Sequence, residues 1–166
     1  VRHPSGATET FQTQTEGDVF YQVKNSQWEE FRADGEYIWR GVDTSPGGGR
    51  AYIQYEPGRK FARWCPRYMA VGQTWEGPGH HVQFKDKATC NDSAANSGAA
   101  VNRCTLAARF ERMTFGSVTV DDVIQLQTHT GEKMFFGRDW GLVAWSSPWG
   151  SSEIVQVYAP GERPAL

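Results

Sequence analysis

The sequence predicts an all-β fold, an antiparallel β-sandwich or flattened β-barrel of about 9–10 short strands with little helix. Three observations predict it. Short apolar runs alternate with turn residues at intervals of roughly ten, the side-chain period within those runs is two, and no window sustains a helical period. The composition fits, with nine Phe, seven Trp and six Tyr for pleated surfaces and 18 Gly and 8 Pro for turns.

Taken in order, residues 1–16 are rich in Thr, Gln, Ser and Gly and read as a flexible tail or linker. Val19, Tyr21 and Val23 begin the first strand, and the stretch from Ser26 to Arg32, carrying Trp28 and Phe31, fits a strand as well as a single helical turn. Asp34-Gly35 is a hairpin signal ahead of the strand from Tyr37 to Val42. The segment 43–49, Asp-Thr-Ser-Pro-Gly-Gly-Gly, cannot be a strand interior, so a new strand runs from Arg50 to Tyr55. Val82 and Phe84 alternate with outward His81, Gln83 and Lys85. The clearest strand runs from Arg103 to Met113, with Cys104, Leu106, Ala108 and Phe110 on one face and Thr105, Ala107, Arg109 and Glu111 on the other. Ile124 and Leu126 oppose Val123, Gln125 and Gln127, and Thr130-Gly131 turns the chain toward strands at Glu132 to Gly137, Gly141 to Trp145 and Glu153 to Tyr158. Residues 159–166 read as a second tail, leaving one domain over 17–158 and the look of a module from a larger multidomain protein or assembly.

Charge narrows the partners. Seventeen basic against nineteen acidic side chains, with no run of five basic residues, give no footprint for a phosphate backbone, so nucleic acid is not an expected partner. No apolar stretch approaches the roughly 20 residues of a membrane-spanning helix, and no transmembrane segment is expected.

The three cysteines, Cys65, Cys90 and Cys104, form no C-x-x-C pair, so a structural zinc site is not indicated. Cys90 and Cys104 bracket a small, polar Gly/Ala/Ser/Asn segment that has little to pack itself down with, and a disulfide between them is expected to tie its ends. For a loop of about 15 residues such a bond contributes roughly 3 kcal/mol in chain-entropy models. Cys65 is then a small buried apolar residue, although pairing of Cys65 with Cys90 or Cys104 stays open. A disulfide implies an oxidising compartment and hence a secreted or cell-surface protein.

Common catalytic signatures are absent: no G-x-S-x-G elbow, no P-loop, no dinucleotide-binding glycine motif after a strand and no H-E-x-x-H. His80 and His81 are neighbours, which a strand points to opposite faces, and Asp121-Asp122 fits a solvated turn better than a calcium site needing six to eight oxygens. No catalytic residue, metal ligand or cofactor is assigned, and the reading leans away from an enzyme.

The tryptophans point to a surface. Trp149 lies among turn residues without apolar company, and Trp140 sits at a turn beside Arg138 and Asp139. The loop from Asp43 to Arg50, starting with an acceptor and ending with a guanidinium, is a second candidate. Flat rings flanked by planar hydrogen-bonding groups suit the apolar C–H face and the hydroxyls of a sugar. Four of Trp28, Trp39, Trp64, Trp75 and Trp145 are expected in the core. The function expected is therefore a non-catalytic carbohydrate-binding module using Trp140, Trp149, Arg138, Asp139, Asp43 and Arg50. Its rivals are a structural or accessory interaction domain and a barrel enclosing an apolar ligand.

Overall fold

Two turns set the first hairpins. Gly17, at φ 61°, joins Phe11–Glu16 (β1) to Val19–Lys24 (β2), and Asp34-Gly35 joins Gln27–Ala33 (β3) to Tyr37–Asp43 (β4). The Asp34 carboxylate shapes the second turn by accepting from the N–H groups of Glu36 and Tyr37 at 2.8 and 2.7 Å. This computed structural model describes residues 11–24, 27–46, 50–58, 60–93, 96–138, 140–148 and 150–154.

The chain continues through Ala51–Gln54 (β5), Ala62–Pro66 (β6), Thr74–Glu76 (β7), His80–Asp86 (β8) and Gly98–Ala100 (β9). Then follow Arg103–Phe115 (β10), Val118–Thr128 (β11), Lys133–Gly137 (β12), Gly141–Ser147 (β13) and Gly150–Glu153 (β14). The protein is all-β, built from two antiparallel sheets that do not close into a barrel. Open sheets of this kind are the components of a sandwich-like fold, and the flattened barrel is set aside with the enclosed apolar site it would have offered.

Fourteen strands are present among the described residues, more than the about 9–10 that alternation predicts. The additions are β1, inside the expected tail, β6, β7 and β9, the last two with three residues each, too few to display a period, and β14, which meets the expected strand only at Glu153. Most of the strand expected from Glu153 to Tyr158 lies outside the described residues. Among the described residues no helix is long and apolar enough to cross a membrane.

The contacts divide the chain into two units. One comprises residues 10–69 and 74–104 and contains the larger sheet, ordered β1-β2-β3-β4-β5-β8-β9 with β6 also paired to β4. Its buried apolar residues include Phe31, Val42, Ala62, Trp64, Cys65 and Cys104. Two irregularities build that interior. The β3–β4 register slips between Glu29 and Phe31, and the consecutive residues Glu30 and Phe31 are both buried. The β4–β6 register slips between Ile38 and Trp39, and Trp64 and Cys65 are likewise both buried. At the β4–β6 slip the extra residue is Trp64 on β6, which breaks strict in-out alternation there; at the β3–β4 slip the extra residue is on β4, where the successive Val42 and Asp43 are both buried.

The other unit, whose described residues are 70–73, 105–138, 140–148 and 150–154, carries most of the sheet ordered β14-β13-β12-β11-β10-β7. The alternation predicted for the strand at 103–113 is present in β10. Phe115, Val120, Val123, Val143 and Ala144 form the buried centre here, with Phe110, Met113, Val118, Phe135 and Ile154 packed around it. Val120 and Val123 are three apart yet both fully buried, because Asp122 takes a left-handed conformation at φ 50° and shifts the alternation. Gly137 fits against Val120 so closely that a Cβ would stand 2.4 Å from Val120 Cγ1.

Two expectations are corrected. Cys90 and Cys104 are not joined, and none of the three cysteines is disulfide-bonded. Cys90 is exposed at φ 59° beyond β8, whereas Cys104 is buried on β10 against Cys65. The segment between Cys90 and Cys104 is held without a covalent tie. Ser93 N–H donates to Phe84 O, Ser97 Oγ accepts from Phe84 N–H, and β9 pairs with β8. The second correction concerns the tryptophans: of the five expected mostly in the core only Trp64 is buried, while Trp28, Trp39, Trp75 and Trp145 are half-buried.

Candidate functional site

Half-buried rings gather where β4 lies between β3 and β6. In antiparallel pairing directly opposite residues share a face, and Trp39 lies opposite both Arg32 on β3 and Arg63 on β6. The result is a cross-strand row of guanidinium, indole and guanidinium. Tyr37, two residues before Trp39, occupies the same face.

Ring contacts extend the row. The Tyr37 and Trp39 centroids are 6.2 Å apart, and the Tyr37 and Trp75 centroids are 5.9 Å apart. Arg63 packs its guanidinium over both Tyr37, at 4.6 Å, and Trp39, at 5.2 Å. Trp39 Nε1–H donates to Asp34 Oδ2 at 2.7 Å, which fixes the indole in its plane. Hydrogen bonds from the Tyr37 and Glu36 amides and from Trp39 hold the Asp34 carboxyl below its ordinary value.

Beside Trp39 lies a hollow of about 330 Å³ lined by Arg32, Trp39, Lys60 and Phe61. One wall is aromatic and the rim is cationic. Arg32 Nε contacts Asp18 at 2.9 Å across a surface where both side chains are about half exposed or more, at 48% and 68%. Lys60 is exposed and has no ion-pair partner among the described residues. Phe61 can reach the hollow because Gly41 has no side chain: a Cβ there would stand 2.8 Å from Phe61 Cε1 and 2.6 Å from Glu30 Oε2.

The residues expected from sequence are dispersed by comparison. Trp140, 40% exposed, and Arg138 lie together at the β12–β13 turn, where Trp140 N–H donates to Gly137 O and Arg138 Nε meets Asp122 at 3.2 Å. Asp139 and Trp149 lie outside the described residues. Asp43 and Arg50 belong to the other unit. Asp43 is 6% exposed, and its oxygens serve Ser45 N–H and Oγ–H at 2.8 and 2.7 Å and Arg40 at 3.4 Å. That is an interior acceptor, although the sequence reading placed it on a loop surface. Arg50 is exposed ahead of β5.

The row at Trp39 was missed because core and surface rings in a strand share the same period. The available signal was Tyr37-x-Trp39 directly after Asp34-Gly35, a pair of rings on one face bound to a tight turn. Among the described residues no group of three His, Cys, Asp or Glu side chains is placed to hold a metal. No family model, curated protein or solved structure matches the chain.

Proposed function

We propose that this protein is a non-catalytic carbohydrate-binding module whose ligand sits against Trp39. The observation that carries the reading is the hollow of about 330 Å³ with an indole and a phenyl in its wall and Arg32 and Lys60 at its rim. Its volume stands near the lower bound of the roughly 300–1,000 Å³ typical of small-molecule sites, a scale suited to one or two sugar rings. Trp39 is a stiff platform, since Asp34 holds its N–H and Arg63 packs over it. A platform ordered before binding loses little entropy when the ligand arrives. The two cations favour saccharides that carry a carboxylate or sulfate, which a guanidinium can engage through paired hydrogen bonds. Such ligands belong to a secreted or cell-surface setting.

The test is calorimetric titration with a uronate-containing oligosaccharide and a neutral oligosaccharide of the same length, on wild-type, Trp39→Ala and Lys60→Ala proteins of verified fold. The reading expects binding in wild type, a loss of ten-fold or more in Trp39→Ala, and a smaller loss for the acidic sugar alone in Lys60→Ala. Absence of binding to either sugar, confirmed across a glycan array, ends it.

A further inference from the structure

The three cysteines have distinct surroundings. Cys90 is exposed with its thiol against Tyr52, while Cys65 and Cys104 are 1% and 3% exposed. Two contacts bring the buried pair together. Asn102 Nδ2 donates to Arg63 O at 2.6 Å, joining the positions two residues ahead of each cysteine. The Cys65 and Cys104 thiols lie near enough for each to shift the other's titration. All four residues belong to the same unit. The Trp64–Cys65 irregularity on β6 turns the Cys65 side chain inward, where it meets the first buried side chain of β10. Among the described residues no further metal-ligating side chain completes a site around them.

We propose that Cys65 and Cys104 are an oxidisable dithiol that closes a disulfide between β6 and β10 when the folding chain meets a low-molecular-weight organic disulfide. The Cys104 thiolate attacks one sulfur of the reagent RSSR, forming a Cys104–S–S–R bond and releasing RS⁻. Cys65, on losing its proton, then attacks the Cys104 sulfur, forming the protein disulfide and expelling the second RS⁻. The two thiol protons pass through solvent to the two RS⁻ groups, so two protein thiols are oxidised and one RSSR is reduced to two RSH. The neighbouring Cys65 holds the Cys104 thiol below its ordinary value, while Cys104 and burial push Cys65 up. That ordering belongs to the folded pair; in the folding chain either thiol opens the sequence, with the same atom and electron balance. Burial confines the first step to folding or to an opened state. Proximity in the native fold then selects Cys65 over Cys90 for the second. The inference is independent of the carbohydrate reading.

The experiment is refolding of the full chain in oxidised and reduced glutathione, followed by alkylation in denaturant and non-reducing peptide mapping by mass spectrometry. Wild type and Cys90→Ser are expected to show one linked Cys65–Cys104 peptide pair, two hydrogens lighter than the reduced sum. Alkylatable thiols in wild type fall from three to one, or to none where Cys90 keeps a glutathione cap. Cys65→Ser is expected to lose the internal link and to leave Cys104 as a glutathione mixed disulfide or a free thiol. The oxidised wild-type protein is expected to unfold at a higher urea midpoint than the reduced form. An internal link that includes Cys90 overturns the proposal. So does alkylation of both Cys65 and Cys104 in oxidatively refolded wild type with a native circular dichroism spectrum.

Discussion

Arg40 and Arg63 stand on neighbouring strands, and each lays its guanidinium over aromatic rings, yet the two environments oppose one another. Arg40 is 4.5 Å from the Tyr55 centroid and 5.8 and 5.9 Å from those of Phe31 and Trp64, with its side chain only 19% exposed. Its charge is answered from inside by Glu29 at 2.6 Å and Asp43 at 3.4 Å. Burial works against that charge, but Tyr55 and the two carboxylates outweigh it and hold the guanidinium above its ordinary value. Arg63 lies over Tyr37 and Trp39, is exposed, and has no carboxylate partner among the described residues. The same cation–π contact therefore does two different things. With carboxylates close by and little water it completes an interior; with water at hand it leaves the guanidinium N–H groups facing solvent. Burial and counter-charge, more than the ring contact, decide the role.

The largest effect should come from Arg40→Met. Removing one partner of a buried ion cluster leaves carboxylates without compensation, a cost of roughly 3–5 kcal/mol, and partial exposure puts this case near 3. Urea denaturation followed by circular dichroism measures it. Adding Glu29→Gln to Arg40→Met should recover part of the loss, since the stranded charge is then removed as well. If the single variant loses less than about 1 kcal/mol, the inner arginine is no more structural than an ordinary surface residue, and the contrast fails.

Gly41→Ala comes next and touches both sides of the comparison. The added methyl would meet Glu30 Oε2 at 2.6 Å and Phe61 Cε1 at 2.8 Å. Glu30 Oε2 accepts from Val42 N–H at 3.1 Å in the interior, and Phe61 lines the hollow. Overpacking of this kind costs about 1–3 kcal/mol. The variant should lose stability and glycan affinity together. Loss of stability with unchanged affinity would separate the hollow from the ligand.

Arg63→Ala should be the mildest of the three to the fold, within about 0.5 kcal/mol at an exposed position, while weakening saccharide binding several-fold through a less constrained Trp39. Thermal melts beside calorimetric titration separate the two. A melting point lowered as far as that of Arg40→Met would mean that both arginines hold the interior and that the outer one is not a recognition group.

Sequence revealed much of this architecture and little of its special places. The alternation over residues 103–113 and the Asp34-Gly35 turn are local, and both appear where they were expected. The irregularities on β4 and β6, where Val42 is buried beside Asp43 and Trp64 beside Cys65, depend on a partner strand, which one chain segment cannot disclose. The favoured Cys90–Cys104 link failed for a related reason, with Cys65 and Cys104 left open as an alternative: Cys90 and Cys104 are close in sequence, but Cys65 reaches Cys104 through strand placement. Trp39 was grouped with rings expected mostly in the core, because period two places a side chain on a face without saying whether that face meets water.

The finest test of the outer face is its dependence on pH through Asp34. This carboxylate is tied by the Tyr37 and Glu36 amides and by Trp39 Nε1–H, and it titrates below the ordinary value of 3.8 in the folded protein. A carboxylate with a depressed folded pKa contributes stability that is complete above its unfolded value and is lost as pH falls through the folded one. The Trp39 indole N–H resonance should therefore stay constant from neutral pH down to about 4 and move only below it. Asp34→Asn should remove that step, and it should weaken sugar binding at neutral pH less than Trp39→Ala does, because the ring remains while only its tether changes. A Trp39 transition centred above 3.8 would mean that Asp34 does not hold the indole, and the preordered platform on the outer face would lose its physical basis.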